Sequence, residues 1–253
     1  MNFKQKLITY FCAAAVIAAG IIGWEYAGSR IKEGMDGVPA SALVSDAPVI
    51  VLDAGHGGAD GGCVSVNGVP EKGINLSIMQ TAADTLELLG YNVKCTRNSD
   101  VSIHDQGTEG LADQKKSDMD NRLKIINGSG AALAVSIHQN QFTDPKYSGA
   151  QMFYKAESSE SSRLAEVLRG KFVMHLQPDN ERETKPVGSE LFLIHNAECP
   201  AVMAECGFLS NPEEAAKLES PSYQRETAFT IADGIICYLA GSRPRDTEAE
   251  DDL

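Results

Sequence analysis

A chain of 253 residues, 43% of them hydrophobic, is long enough to bury a sizeable core in one large domain. The formal net charge is −13 and no basic stripe occurs, which argues against nucleic-acid binding by counterion release. The six cysteines show no paired spacing such as C-x-x-C. We therefore expect mostly free, buried thiols rather than a small domain held by disulfides.

The first 27 residues predict a membrane anchor or an export signal. Two lysines precede an uncharged apolar run over residues 7–24, an order typical of a signal anchor. Glu25 stands where a cleavage site needs a small residue. This favours an uncleaved anchor helix with the rest of the chain outside the cytoplasm, and secretion after cleavage is the alternative. Residues 28–46 are polar and rich in Gly, Ser and Ala, which predicts a linker.

Strand and helix patterns alternate along the rest of the chain. The predicted strands are 47–53, 91–96, 131–137, 149–154, 191–194 and 201–204. The predicted helices are 71–89, 119–127, 158–175, a short acidic helix capped by Asn211, and 222–239. Segment 98–117 is polar and predicts a loop. The order predicts a single α/β domain over residues 47–241, with a mostly parallel twisted sheet of about six strands and helices on both faces. Residues 242–253 are rich in acidic side chains, which predicts a disordered tail.

Four ionisable side chains stand where predicted strands end or helices begin. They are His56, Glu71, His138 and Glu205. Catalytic groups of open α/β sheets gather at that edge, and glycines on both sides of His56 leave room for a close approach. Two imidazoles and one carboxylate can hold a zinc ion with an open fourth position for water. A second carboxylate can take the proton of that water and deliver it to a leaving amine, which suits metal-assisted amide hydrolysis.

Each of these residues also has a structural interpretation. His56 fits a turn, Glu71 fits a first helical turn that favours acidic groups, and His138 fits a core histidine. An ionisable carboxylate at the end of an apolar strand, as at Glu205, is costly unless it is paired or used.

Two cysteines near these positions raise other possibilities. Cys206 directly follows Glu205, and a cysteine nucleophile there would need one of the histidines as its base. That arrangement would leave Glu71 unexplained. Cys63 follows the glycine-rich segment and is either an additional metal ligand or a packed thiol.

Four sequence motifs occur in a fixed order along the chain. They are D-A-G-H-G-G, P-E-K-G-I-N-L, A-V-S-I-H-Q-N and P-A-V-M-A-E-C-G-F-L-S-N. Together they closely resemble the zinc-dependent N-acetylmuramoyl-L-alanine amidases of the Amidase_3 type, over residues 48–239. The resemblance implies a hydrolase that cleaves the amide between N-acetylmuramic acid and L-alanine in peptidoglycan. It also implies one Zn²⁺ per chain.

The resemblance assigns roles to residues of this chain. The ligand positions match His56, Glu71 and His138, and the catalytic glutamate matches Glu205. Three further residues are expected to bind substrate: Arg97, Arg122 and Asn140. A framework role is the alternative for the two arginines. Arg122 can also be read as a surface charge on a helix. Asn127 also follows the family pattern.

Some positions depart from that pattern or match none of its ligands. Gln139 stands where relatives often carry a small residue, which bears on the shape of the groove beside the metal. Three other histidines match no ligand position: His104, His175 and His195.

Within this family, the short anchor, the single domain and the segment S-G-A-Q-M-F-Y resemble the spore-cortex type. Such enzymes strip peptides from muramic acid so that muramic-δ-lactam can form. The expected partners are peptidoglycan and an accessory activator protein, and we expect a monomer or a weak dimer. Two alternatives are a zinc exopeptidase acting on cell-wall peptides, with Asp53 and Asp60 as the nearby extra carboxylates, and a non-catalytic peptidoglycan-binding module.

Overall fold

The computed structural model describes residues 47–242. The predicted anchor (1–27), the predicted linker (28–46) and residues 243–253 of the predicted tail lie outside the described residues. Among the helices described, none is both long and apolar enough to span a membrane.

Six strands and six helices make up the described residues, and most of them match predicted elements. The strands are β1 (Val49–Ala54), β2 (Asn92–Cys95), β3 (Ala131–Asn140), β4 (Gln151–Lys155), β5 (Lys185–Val187) and β6 (Ala201–Phe208). The helices are α1 (Glu71–Leu88), α2 (Leu111–Gly128), α3 (Ser159–His175), α4 (Phe192–Asn196), α5 (Pro212–Leu218) and α6 (Pro221–Ser242).

The strands form one mixed sheet in the order β2-β1-β3-β6-β4-β5. Four of the neighbouring pairs are parallel, and β4 runs antiparallel to β6. The prediction of a mostly parallel sheet of about six strands is therefore confirmed. Because β1, β3 and β6 are central and parallel, their carboxyl ends meet at one edge, and the start of the antiparallel β4 lies at the same edge.

Helices cover both faces of the sheet. The larger core packs β1, β3 and β6 against α1, α3 and α6, and a smaller core packs the other face against α2 and α4. In α1, the residues Ile74, Ile78, Ala82 and Leu86 recur every four positions and are buried, which explains why this segment is helical. The helix begins after Pro70, so its first residue is Glu71, which lies at the edge of the sheet where the central strands end.

Three predictions of local structure are wrong. The apolar run predicted as strand 191–194 forms the short helix α4. Helix α2 begins at Leu111, well before the predicted start at residue 119, inside the predicted loop. The edge strand β5 was not predicted, because Lys185-Pro186-Val187 has no apolar alternation. The predicted cap Asn211 is confirmed, since its side chain accepts hydrogen bonds from the amides of Glu213 and Glu214.

Candidate active site

His56 lies in the loop between β1 and α1, in a left-handed backbone conformation with φ of 62°. Its Nδ1 lies 3.0 Å from Asp60 Oδ2. That contact fixes the ring when Nδ1–H donates to the carboxylate, and it turns Nε2 toward Glu71, whose Oε2 is 3.4 Å from Nε2. The loop thus presents one imidazole nitrogen to the edge of the sheet.

Glu71 is buried, and donors surround its carboxylate. Oε2 accepts from the backbone N–H of Cys63 at 2.9 Å. Oε1 accepts from the backbone N–H of Gln139 at 2.9 Å and from Asn75 Nδ2 at 3.0 Å. Burial raises the pKa of Glu71, but its hydrogen bond to His138 and the charges of both histidines outweigh burial and lower the pKa. Glu71 is therefore held as an ionised, oriented carboxylate.

His138 lies near the end of β3, and its Nδ1 is 3.0 Å from Glu71 Oε1. Its ring stands edge-on to the ring of His56, with centroids 5.0 Å apart. A Cβ added to Gly55 would overlap the His138 imidazole, and one added to Gly62 would lie 2.5 Å from Glu71 Oε2. At these two positions only glycine lets the three side chains meet.

The three residues fit a metal ion. One ligand atom from each of His56, Glu71 and His138 can be chosen so that all lie within 4.8 Å of one another. Around a tetrahedral zinc with bonds of about 2.0 Å, neighbouring ligand atoms are roughly 3.3 Å apart. His138 Nδ1 lies 3.0 Å from Oε1 of Glu71 and His56 Nε2 lies 3.4 Å from Oε2, so each ring nitrogen is at about this spacing from one of the two carboxylate oxygens. Two imidazoles and one carboxylate are a donor set of catalytic zinc sites, and they leave a fourth position open.

Glu205 faces this cluster from β6, directly opposite His138 in the parallel register. Its side chain is partly buried, and its Oε2 is a buried atom with no hydrogen-bond partner among residues 47–242. Burial raises the pKa of Glu205 to about 7, with the neighbouring charge of His138 lowering it and that of Glu71 raising it. A carboxyl group with a pKa near neutrality can both accept and donate a proton at physiological pH.

Comparison with known proteins decides the family. The sequence pattern of N-acetylmuramoyl-L-alanine amidase matches residues 50–237. This chain belongs to that family. The predicted resemblance is therefore confirmed, and the match spans the sheet, the helices and all four residues of the cluster.

Relatives and solved structures agree with this assignment. The germination-specific N-acetylmuramoyl-L-alanine amidase of Bacillus subtilis (strain 168) is 37% identical over 191 residues, which are 76% of this chain and 79% of that protein. AmiA of Escherichia coli K12, also an N-acetylmuramoyl-L-alanine amidase, is 28% identical over 76% of both chains. The CwlD amidase of Clostridioides difficile, solved in complex with the GerS lipoprotein, superposes with a TM-score of 0.75 and 35% identity. It covers 77% of this chain and all of that one.

Arg97 and Arg122 are both buried beneath the His56 loop. Arg97 donates to the carbonyl oxygens of Ala54, Gly55, Lys72 and Ser99. Arg122 donates to the carbonyl oxygens of Ala54 and His56 and pairs with Asp53 and Asp118. These contacts favour the framework interpretation of the two arginines over direct substrate binding.

Asn140 and Gln139 end β3 beside the cluster. Asn140 is partly buried, its Oδ1 accepts from the amide of Gln141 at 2.8 Å, and its own carbonyl accepts from the amide of Leu209 at 2.8 Å. Its predicted contact with substrate stays a prediction. Gln139 is buried and donates through Nε2 to Asn75 on α1 at 3.1 Å, so its side chain lies against that helix.

The structure favours packed thiols at the two cysteines considered from sequence, rather than a nucleophile at Cys206 or a metal ligand at Cys63. The Cys206 thiol is fully buried in the larger core, and burial together with the charge of Glu205 raises its pKa. Cys63 is partly buried beside the cluster, and its Sγ lies 3.4 Å from the carbonyl oxygen of Gln139. Burial and the charge of Glu71 raise the pKa of Cys63 too. Both groups are held as neutral thiols, whereas a nucleophile needs a thiolate.

The three remaining histidines lie outside the cluster, as predicted. His104 contacts Ser102 Oγ at 2.8 Å, His175 contacts Asp233 Oδ2 at 2.9 Å, and His195 lies in α4. Sequence reasoning did not recognise the role of Asp60, which orients His56. The signal for it was the i to i+4 spacing of a histidine and an aspartate within one glycine-rich loop.

Proposed function

We propose that this chain hydrolyses the amide between N-acetylmuramic acid and L-alanine in peptidoglycan. In this proposal His56, Glu71 and His138 hold one Zn²⁺, and Glu205 is the catalytic acid and base. The observation that carries it is the convergence of three ligand atoms at one edge of the sheet, with Glu205 opposite His138 and one of its oxygens without a partner. Membership of the amidase family supports the choice of bond.

The chain's own residues then divide the chemistry. A zinc ion held by His56, Glu71 and His138 would supply polarisation of a carbonyl oxygen and a water whose pKa is lowered to roughly 7. Glu205 accepts a proton from the attacking water as the new C–O bond forms. It then delivers a proton to the amide nitrogen as the C–N bond breaks, so the peptide leaves with a free amino group. Asp60 and Asn75 keep His56 and Glu71 oriented throughout.

Muropeptide analysis tests the proposal. Zinc-loaded wild type is expected to release peptides with a free L-alanine amino terminus. Glu205→Gln keeps one zinc per chain and loses activity by roughly 10²–10⁴-fold, because a proton-transfer group is removed. His138→Ala loses the metal as well, whereas His175→Ala, at an exposed contact with Asp233, keeps both metal and activity. Full activity of metal-free wild type would contradict the proposal.

The same digest separates the alternatives. A zinc exopeptidase would release single amino acids from peptide ends and leave the lactyl–alanine bond intact. In this structure Asp53 pairs with Arg122 and Asp60 contacts His56. Neither carboxylate is therefore free to bind a second metal ion. A non-catalytic module would bind sacculi without releasing any peptide.

We further propose a role in spore-cortex maturation, where removal of peptides from muramic acid precedes muramic-lactam formation. The support is the similarity to the germination-specific amidase of Bacillus subtilis and to the CwlD amidase. The CwlD amidase was solved with the GerS lipoprotein, which makes an accessory protein partner a reasonable part of the proposal. Cortex prepared from spores that lack this chain is expected to contain no muramic-δ-lactam.

A cell-wall substrate requires the domain over residues 47–241 to act outside the cytoplasm. We propose that residues 1–27 deliver it there, as an anchor or as a cleaved signal. Protease treatment of intact cells, followed by detection of the domain, tests the location. The protease is expected to degrade the domain in intact cells. A domain that is degraded only after the cells are lysed would contradict the proposed location.

A further inference from the structure

A row of side chains crosses three neighbouring strands at the active edge of the sheet. His138 on β3 is paired with Glu205 on β6, and Glu205 is paired with Gln151 on β4. Directly opposed residues of neighbouring strands present their side chains to the same face. Gln151 therefore stands beside Glu205 on the side away from the metal ligands.

Gln151 is locked to Arg182, which comes from the segment between α3 and β5. Its Oε1 accepts a hydrogen bond from Arg182 Nη2, and its Nε2 donates to the carbonyl of Glu183 at 3.0 Å. The guanidinium carbon of Arg182 lies 4.9 Å from the centre of the Phe208 ring, a distance at which a cation is attracted to the ring face. The guanidinium is thus fixed next to the row.

Arg182 forms no ion pair with a carboxylate within 4 Å in the part of the chain that the structure describes. The ion pairs of arginine there involve Arg122, Arg163 and Arg169. The Arg182 side chain is partly buried, and its Nε is a buried atom without a hydrogen-bond partner. A half-buried cation without a directly hydrogen-bonded carboxylate is costly, and it is unusual in a chain with a net charge of −13.

Burial raises the pKa of the Glu214 carboxylate, and Arg182 lies near enough for its charge to oppose that rise. The two side chains nevertheless form no ion pair within 4 Å among the residues described, and the oxygens of Glu214 accept from backbone amides. Oε2 accepts from the amide of Phe208 at 2.7 Å, and Oε1 accepts from the amide of Gly149 at 2.9 Å. Arg182 also lines a cavity of about 630 Å³ between the Gly149 loop, the end of α3 and α5. Among the residues described, Nη1 of Arg182 makes no hydrogen bond and is not a buried atom, so it is the donor that a group entering from solvent can reach.

We propose that Arg182, positioned by Gln151, binds a carboxylate of the peptide that leaves. This inference rests on the proposed function. If the acyl carbon reacts at the metal ligands and the leaving nitrogen faces Glu205, the peptide continues toward Gln151. Neighbouring strands are about 4.8 Å apart, so Gln151 is roughly 10 Å from β3, the length of about three extended residues. The carboxylate recognised is thus on one of the first three residues of the leaving peptide.

A set of synthetic muramoyl tripeptides tests this assignment. One form carries free carboxylates, and each other form has a single carboxylate converted to a carboxamide. For wild type, one carboxamide form is expected to show a kcat/KM lower by about ten- to a hundredfold, the usual effect of losing a charge-assisted hydrogen bond. Arg182→Gln lowers kcat/KM for the free-carboxylate form by the same factor and leaves that carboxamide form unchanged. Arg225→Gln, at an exposed position on α6, behaves as wild type.

A purely structural role for Arg182 predicts a different pattern. Arg182→Gln would then lower kcat/KM equally for every form, and this result would overturn the proposal. The proposal is also overturned if wild type hydrolyses all forms with the same kcat/KM. If Arg182→Gln does not fold, Gln151→Glu replaces it, since a carboxylate placed against the guanidinium is expected to abolish the discrimination. Hydrolysis of no form by wild type would instead refute the proposed function.

Discussion

Arg122 Nη2 donates a hydrogen bond of 2.7 Å to the carbonyl oxygen of His56. The same guanidinium reaches Asp53 Oδ1 at 2.6 Å through Nη1, and the two side chains are 2% and 1% exposed. A residue on α2 thus holds the left-handed loop that presents His56, through a buried ion pair anchored at the end of β1. The planar fork of an arginine suits this set of acceptors, because each nitrogen meets a different oxygen.

Replacing Arg122 is expected to damage both the fold and the cluster. Arg122→Met leaves Asp53 as an unpaired buried charge, a change that costs about 3–5 kcal/mol of unfolding free energy. The His56 loop also loses a donor, so zinc occupancy at limiting metal falls. Denaturant unfolding and metal titration measure the two effects. Arg225→Met is the exposed control, and a similarly small effect at both positions would show that Arg122 is not a support of the loop.

Asp53 predicts an acid-dependent loss of stability. Burial raises its pKa, but the charge of Arg122 and the hydrogen bonds from Ser136 and Thr96 outweigh burial, so its pKa in the folded chain lies below the ordinary 3.8. The ionised group therefore stabilises the fold fully above pH 3.8, and this contribution is lost as the pH falls through the lower folded pKa. The difference in unfolding free energy between wild type and Asp53→Asn should shrink on acidification below about pH 4. Measurements in chelator remove any metal effect, and a difference independent of pH would contradict the assignment.

Three residues of the candidate site that the sequence pattern brings together share one property. His56 comes just after an apolar β-strand, and His138 and Glu205 lie near the carboxyl ends of two others, so a local pattern is enough to place them at the same sheet edge. Arg182 and Gln151 carry no such signal. They reach the site because β4 pairs antiparallel with β6, a non-local pairing that hydrophobic periodicity does not specify.

The errors in secondary structure have related causes. Four consecutive apolar residues at 191–194 are compatible with either a buried strand or a helix. In the structure this segment packs against α2 as a helix. The first turns of α2 are exposed and polar, so they lack the apolar stripe that would have marked the helix start at Leu111.

Gly55 is expected to be essential for metal binding although it contributes no ligand. A Cβ at this position would overlap the His138 imidazole, so Gly55→Ala forces the ring away from Glu71. We expect metal affinity to fall at least about tenfold. This is the lower end of the loss of metal affinity that follows when the groups that orient the ligands are mutated. Gly73→Ala is the matched control, because a Cβ there meets nothing within 4 Å, and a helical alanine is favoured by about 0.5–1 kcal/mol. Equal zinc affinity in the two variants would refute this role.

Cys206 is expected to be dispensable for catalysis despite its position next to Glu205. Its thiol is buried against the larger core and held neutral. Cys206→Ala should therefore keep kcat within about twofold while losing some stability through the small cavity left behind. Steady-state kinetics and thermal unfolding separate the two effects. Loss of activity in a folded, zinc-loaded Cys206→Ala would revive the cysteine-hydrolase alternative.

Zinc should stabilise the folded chain, because the ligands converge only when β1, α1 and β3 are assembled. A ligand that binds only the folded state adds about 2.7 kcal/mol to the unfolding free energy at a free concentration one hundred times its Kd, and less if unfolded cysteines and histidines also bind it. Wild type is therefore expected to unfold at higher denaturant with zinc than with chelator. His138→Ala removes one of three ligands and should lose this difference, whereas His175→Ala keeps it. An equal zinc-dependent shift in His138→Ala would place the stabilising metal elsewhere, since the remaining pair, His56 and Glu71, cannot supply the same binding energy as the full set.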